Sequence, residues 1–179
     1  MKTHGSYKIK STKLIYKNPW IRVQEDQVIM PNGKNDIFGI VNMIDGVTVI
    51  LVDNENNIYL AKEFKYAVGR ITIEAISGGI DKNETKEKAA KRELMEETGL
   101  KAEQWDYLGV VDPFTTIINS RNHIFLARQI IKFKESDEKL TLKVIKIPFS
   151  EAVNWVANGK ITHAASCVAI LKAARILNT

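Results

Sequence analysis

The sequence predicts an α/β fold: a sandwich of mixed sheet and helices, preceded by a small N-terminal antiparallel sheet. Three features carry that expectation. Gly46 opens VTVILVD, a continuous, largely β-branched run typical of a strand covered on both faces. One charged helical stretch lies mid-chain between Gly78 and Gly99, and two further helical segments close the chain. With 179 residues, 45% hydrophobic and 26% charged, there is apolar material for one well-buried domain and too little for two.

Residues 6–17 and 20–30 read as two strands broken by Asn18-Pro19, and Pro31-Asn32-Gly33 turns the second into a third over 36–44. These strands set residues 1–44 apart from the main domain over 45–179. The first residues, His4 among them, are expected to be disordered. VTVILVD and IYLAKEFKY flank a turn from Asn54 to Asn57 and form a core hairpin. ITIEAI alternates and runs directly into Ser77-Gly78-Gly79, so a strand delivers the Ser77 carbonyl to the mid-chain helix. That helix starts between Asp81 and Thr85, where Asp81 with Glu84 or Asn83 caps free amides, and it stops at Gly99. Strands follow at 104–111, 122–133 and 139–147, with a loop from Asp112-Pro113 to Asn119. Ser150 caps EAVNWVAN up to Gly159, and Thr162 caps a largely apolar helix through Leu177.

The mid-chain helix contains Arg92-Glu93-Leu94-Met95-Glu96-Glu97. On a 3.6-residue period Glu93, Glu96 and Glu97 share an arc of roughly 100°. Two like charges about 5 Å apart repel by under about 1 kcal/mol in water, but by roughly 3 kcal/mol at an effective dielectric of about 20. A solvated face tolerates this; a cleft needs cations. Taken alone, E-x-x-E-E reads as an exposed acidic helix face. The surrounding pattern decides otherwise, because Gly78, Glu84, Arg92-Glu93-Leu94, Glu96-Glu97 and Gly99-Leu100 stand at fixed separations that ordinary residue frequencies do not produce by chance.

This pattern resembles the Nudix box, the signature of hydrolases acting on a nucleoside diphosphate linked to another moiety, and every specified position is filled. The resemblance implies a Nudix-type α/β/α sandwich. It also implies that Glu93, Glu96 and Glu97, with the carbonyl of Ser77, are the metal-ligand set, supported by Glu84 and by Arg92, which pairs with acidic neighbours and fixes their rotamers. Hard oxygen donors with no His or Cys nearby suit magnesium, or manganese, rather than zinc. Pyrophosphate repels an attacking hydroxide, and clustered cations neutralise its oxygens, activate a water and stabilise the leaving phosphate.

Beyond the box the chain is similar to ADP-ribose and related nucleotide-sugar pyrophosphatases. Glu74 lies four residues before Gly78, as in their Glu-Leu-Pro-Ala-Gly type sequence, although Ile76-Ser77 replaces Pro-Ala. Asp112-Pro113 and the C-terminal Trp155, Gly159-Lys160-Ile161 and Ala164-Ala165-Ser166 follow the same pattern. Lys65 stands where the family often has arginine, and a second arginine near Gly39 has no counterpart. Since arginine grips phosphate with two parallel bonds and lysine does not, Arg70 or Arg22 is the alternative diphosphate contact. Thr115 to Asn122 lacks the usual acidic residue, Ser120 taking about its place. The general base is sought among Glu135, Asp137 and Glu138, with Glu138 preferred, and the same ESDEK also reads as a solvated turn. Phe114 and Trp20 are candidates to stack on a base, against a plain loop-packing role. His123, before an apolar strand, reads as a strand-edge residue, and His163, at a helix beginning, as a solvent-exposed or capping residue and not a ligand. In this subfamily the N-terminal sheet packs across a two-fold partner, so residues 6–44 are expected to form a homodimer interface.

Composition excludes other classes. No apolar run approaches the roughly 18 residues that span a bilayer, and MKTHGSYKIK lacks an apolar signal core, which predicts a cytoplasmic protein without a membrane role. The lone Cys167 reads as a core residue, not a nucleophile. Residues 1–34 carry seven basic side chains against Glu25 and Asp26, which accounts for the whole net charge of +5. No dense basic-aromatic alternation accompanies them, so outward lysines on strands are expected, not a specific nucleic-acid groove. The expected activity is magnesium-dependent hydrolysis of ADP-ribose or a similar nucleoside diphosphate sugar. The rivals are another Nudix substrate, such as GDP-mannose or a dinucleoside polyphosphate, and a sensor that binds ADP-ribose without cleaving it.

Overall fold

The computed structural model describes residues 1–132 and 142–178. Strands β1 (Lys2–His4), β2 (Tyr7–Lys17), β3 (Ile21–Ile29) and β4 (Asn35–Met43) come first. Then come β5 (Gly46–Val52), β6 (Asn57–Lys65), β7 (Arg70–Glu74), β8 (Ile76–Gly79) and helix α1 (Lys86–Thr98). The chain continues through β9 (Leu100–Val111), β10 (Ile118–Asn119), β11 (Asn122–Lys132), β12 (Leu142–Pro148), α2 (Phe149–Ala157) and α3 (Ala164–Leu177). Two units result: residues 1–44 with 112–121, and residues 45–111 with the described residues from 122 onward.

The first unit is a sheet in the order β1-β2-β3-β4-β10. Its first four strands pair antiparallel, while β10 runs parallel to β4 through Ile118↔Val41 and Asn119↔Asn42. The segment after Asp112-Pro113 is therefore more than the expected loop. The start is not disordered either: Gly5, at φ +58°, turns β1 back onto β2. Asn18 makes the predicted break, its Oδ1 accepting from the amides of Trp20 (2.9 Å) and Ile21 (2.7 Å).

The second unit is the mixed α/β sandwich. Its sheet runs β12-β6-β5-β11-β9, with β7 on β6 and β8 on β5. β11 runs parallel to β5 and antiparallel to β9. The unbroken apolar run of β5 follows from burial on both faces: Val47, Val49 and Leu51 pack with Ala89, Ala90 and Leu94 of α1, while Ile50 and Val52 pack with Phe149, Ala169, Ile170 and Ala173 of α2 and α3. The β5–β6 hairpin is present but short, paired only at Leu51↔Tyr59 and Val52↔Ile58, because β8 takes that edge of β5 from Gly46 to Val49.

Several local expectations need correction. The strand over 71–76 is two strands: β7 pairs with β6 as far as Glu74, and after Ala75 the chain switches to β5. β9 begins at Leu100, directly after the helix stop. Thr85, not Asp81, caps α1, its side chain accepting from the Lys88 amide, while the Asp81 amide donates to Glu84 Oε2 (3.1 Å). Gly99 stops the helix as expected, at φ 69°. Ser150 does not cap α2, which begins one residue earlier at the fully buried Phe149, whose amide is bonded to Asn56 O (2.9 Å). Thr162 does not cap α3; its Oγ1 accepts from Arg70 Nη2 (2.9 Å), and His163 holds the cap position without a side-chain cap bond. Cys167 is half-buried against the α2–α3 core with its thiol donating to Ile161 O (3.3 Å), and burial pushes its pKa up. No helix among the described residues is long and apolar enough to cross a membrane.

Candidate active site

The box is built on a glycine that leaves room for a carboxylate. β8 carries Ser77 opposite Thr48, Gly78 opposite Val47 and Gly79 opposite Gly46. A Cβ on Gly78 would overlap the Cδ and both carboxylate oxygens of Glu93. Glu93 comes up from α1 and is only 7% exposed, so the carboxylate lies flat against the bare Cα of Gly78. This is the physical reason for a glycine at that position.

Arg92 ties the cluster together. Its Nε and Nη2 donate to the two oxygens of Glu84, each at 3.0 Å, and Nη2 also donates to Gly79 O (2.8 Å). Nη1 donates to Glu93 Oε1 (2.7 Å) and, at 3.5 Å, to Glu96 Oε2. One planar guanidinium thus fixes two box carboxylates, touches a third and grips the turn that brings β8 to the helix. The hydrogen bond from Arg92 holds the Glu84 carboxyl below its ordinary range, and the bonds to Glu84, then to Glu93, raise the Arg92 pKa against the opposing cost of burial.

Glu96 is exposed and Glu97 half-buried on the same helix face. Lys65, on β6, donates to Glu63 Oε2 (2.7 Å). Burial works against its charge, but that hydrogen bond together with the fields of Glu74, Glu63 and Glu97 outweighs it and raises its pKa. Glu74 lies opposite Ala61 on β7, accepting from Thr72 Oγ1 (2.7 Å) with His163 Nδ1 at 3.5 Å from its other oxygen. Arg70 faces Lys65 in the ladder and is exposed.

Of the sequence-derived candidates, Ser77, Glu84, Arg92, Glu93 and Glu96 thus meet around the box, and Lys65, Glu74 and Glu97 form an electrostatically linked group in the same unit. Arg22, on β3, Trp20 and Phe114 belong to the first unit, where Trp20 is 70% and Phe114 52% exposed. Glu135, Asp137 and Glu138 lie outside the described residues. Sequence reasoning missed Glu63 and Thr72, which flank Lys65 and Glu74, and read His163 as solvent-exposed or capping, whereas its side chain makes no cap bond and lies against Glu74 and Ser166. Alternation on β6 and β7 puts Glu63 and Thr72 directly opposite each other, a signal visible once the pairing is known.

The donor set around the box is all oxygen, which fits a hard divalent cation. Among the described residues no three acidic, His or Cys side chains already converge on one point, so an ion here would rest on carboxylates now held by Arg92 and lying in the field of Lys65.

Comparison with known proteins agrees with this architecture. Residues 43–164 match the NUDIX domain, and residues 7–41 match the nucleoside diphosphate sugar hydrolase N-terminal domain. The chain belongs to the Nudix hydrolase family. It is 26% identical to the methanol dehydrogenase activator of Bacillus methanolicus, over 89% of this chain and 88% of that one. It is 28% identical to the ADP-ribose pyrophosphatase of Bacillus subtilis (strain 168), over 87% and 86%. A crystal structure of an ADP compounds hydrolase shares the fold, with a TM-score of 0.84 at 19% identity over 99% of this chain and 97% of that one.

Proposed function

We propose that this protein is a metal-dependent pyrophosphohydrolase that splits ADP-ribose, or a related nucleoside diphosphate sugar, to a nucleoside monophosphate and a sugar phosphate. The observation that carries the reading is an intact box, organised around Arg92, in a chain that also matches the N-terminal domain of nucleoside diphosphate sugar hydrolases. The similarity to an ADP-ribose pyrophosphatase over most of both chains supports the substrate class.

Glu93, Glu96, Glu97 and the Ser77 carbonyl would hold magnesium or manganese. When bound, the cations supply neutralisation of the diphosphate and a water acidified for attack. Arg92 keeps Glu93 seated on Gly78 and keeps Glu84 ionised, so the carboxylates are pre-positioned. Lys65 brings positive charge among Glu63, Glu74 and Glu97, and with Arg70 it meets the diphosphate oxygens. Glu74 orients the nucleotide sugar. The exposed Leu14, Ile15, Tyr16, Ile37 and Phe38 of the first unit support a homodimer through the N-terminal strands.

The test is product analysis. Incubation of ADP-ribose with the protein and magnesium yields AMP and ribose 5-phosphate in equal amounts. ADP-ribose that stays bound and uncut after long incubation with magnesium or manganese refutes hydrolysis and favours a sensor.

A further inference from the structure

The start of α3 reaches the strand that leads into the box. At Ala75 the chain leaves the β6 ladder and joins β5, so the Ala75 amide falls between the two pairings. Ser166 Oγ, fully buried, accepts that amide at 2.8 Å across 91 residues of sequence. His163 Nδ1 stands 2.8 Å from Ser166 Oγ and 3.5 Å from Glu74 Oε2. Thr72 Oγ1 donates to the other oxygen of Glu74 at 2.7 Å. Arg70 Nη2, donating to Thr162 Oγ1, ties the first residue of β7 to the same turn.

A partner on each oxygen removes the rotation of the Glu74 carboxylate that a substrate would otherwise have to freeze. With its proton on Nδ1, His163 donates to Ser166 Oγ and stands at ion-pair distance from Glu74 Oε2. His163 occupies the N-cap position of α3 yet makes no cap bond with its side chain, which is turned to Glu74 and Ser166 instead.

We infer that His163 and Ser166 are positioning residues: they set the Glu74 carboxylate and, through the Ala75 amide, the backbone that enters the box at Ser77 and Gly78. The kinetic part rests on the proposed reading of Glu74 as a substrate contact. Loss of His163 releases one oxygen of Glu74, and loss of Ser166 releases the Ala75 amide and one contact of His163, in neither case removing a group that touches the reacting atoms.

The experiment compares wild type, His163→Ala, His163→Asn, Ser166→Ala, Glu74→Gln and the Glu74→Gln/His163→Ala double variant, using ADP-ribose with magnesium. His163→Ala raises KM roughly tenfold with kcat within about twofold. His163→Asn restores most of it, because the Asn amide hangs from the same Cγ as Nδ1. In the Glu74→Gln background His163→Ala adds nothing further. A second arm, hydrogen exchange over residues 70–80, needs no substrate: Ser166→Ala speeds exchange at Ala75 and the amides after it. With turnover present, an unchanged KM, or effects that add in the double variant, overturns the inference whatever the exchange shows. If wild type cleaves no sugar diphosphate, the proposed function fails and exchange decides: faster exchange in Ser166→Ala upholds the positioning, and unchanged exchange overturns it.

Discussion

Replacing Gly78 by alanine tests the packing at the centre of the box. The new Cβ would occupy the space of the Glu93 carboxylate. That carboxylate is the end of a flexible side chain, so it can swing aside, but only by leaving Arg92 Nη1, now at 2.7 Å. A charge-assisted bond of this kind is worth about 1.5–3 kcal/mol, which for a chain of this length lowers Tm by roughly 3–12 °C. Gly39 is the control, since its φ is not left-handed and a Cβ there meets nothing within 4 Å. Gly39→Ala is neutral or stabilises by up to about 1 kcal/mol. The decisive comparison is thermal or denaturant unfolding of Gly78→Ala alone and in a Glu93→Ala background. With the carboxylate gone the cost of Gly78→Ala disappears. An equal cost in both backgrounds refutes the overlap and points to backbone strain.

Other consequences follow from the same geometry. Arg92→Lys keeps the charge but cannot grip Glu84 with two bonds while reaching Glu93 and Gly79 O, so turnover of ADP-ribose falls about 10–100-fold; near wild-type kinetics would remove Arg92 from the account. Thr85→Ala destabilises by about 1 kcal/mol, while Ser150→Ala, inside α2 and not at its cap, costs little, as chemical denaturation would record. The folded-state pKa of Glu84 is depressed by Arg92, so the stability it contributes is fully present above its ordinary value of 4.5 and is lost as pH falls through the lower folded value. The stability gap between wild type and Glu84→Gln therefore stays constant from pH 7 to about 4.5 and closes below it; a gap that widens in acid contradicts this sign.

The parts legible in the sequence were those written in local periodicity and glycine placement. The burial of β5 on two faces, the stop at Gly99 and the Asn18-Pro19 break all depend on neighbours in the chain, and the structure has them where expected. What stayed hidden depends on distant partners. Ser150 and Thr162 look like caps because they precede helical runs, yet the α2 boundary is set by Phe149 entering the core and by Asn56, and Thr162 is engaged by Arg70. The β7–β8 break is invisible in ITIEAI, whose alternation suits one strand; it follows from β5 and β6 offering separate ladders. Short β1 and β10 carry too few residues for a periodic signal. The box spacing identified Glu93 and Arg92 as a group, but not that Gly78 exists to seat the Glu93 carboxylate. The surroundings of Glu74 were missed for the same reason, because His163 and Ser166 arrive from about 90 residues away.

The most direct measurement is phosphate release, with added phosphatase, from ADP-ribose, ADP-glucose, GDP-mannose, UDP-glucose, NADH and diadenosine polyphosphates, for wild type and Glu97→Gln, with magnesium or manganese and with a chelator. A metal-dependent preference for ADP-ribose or another sugar diphosphate that vanishes in Glu97→Gln is the predicted result. A flat background, indifferent to the substitution and to metal, would contradict hydrolysis at the box.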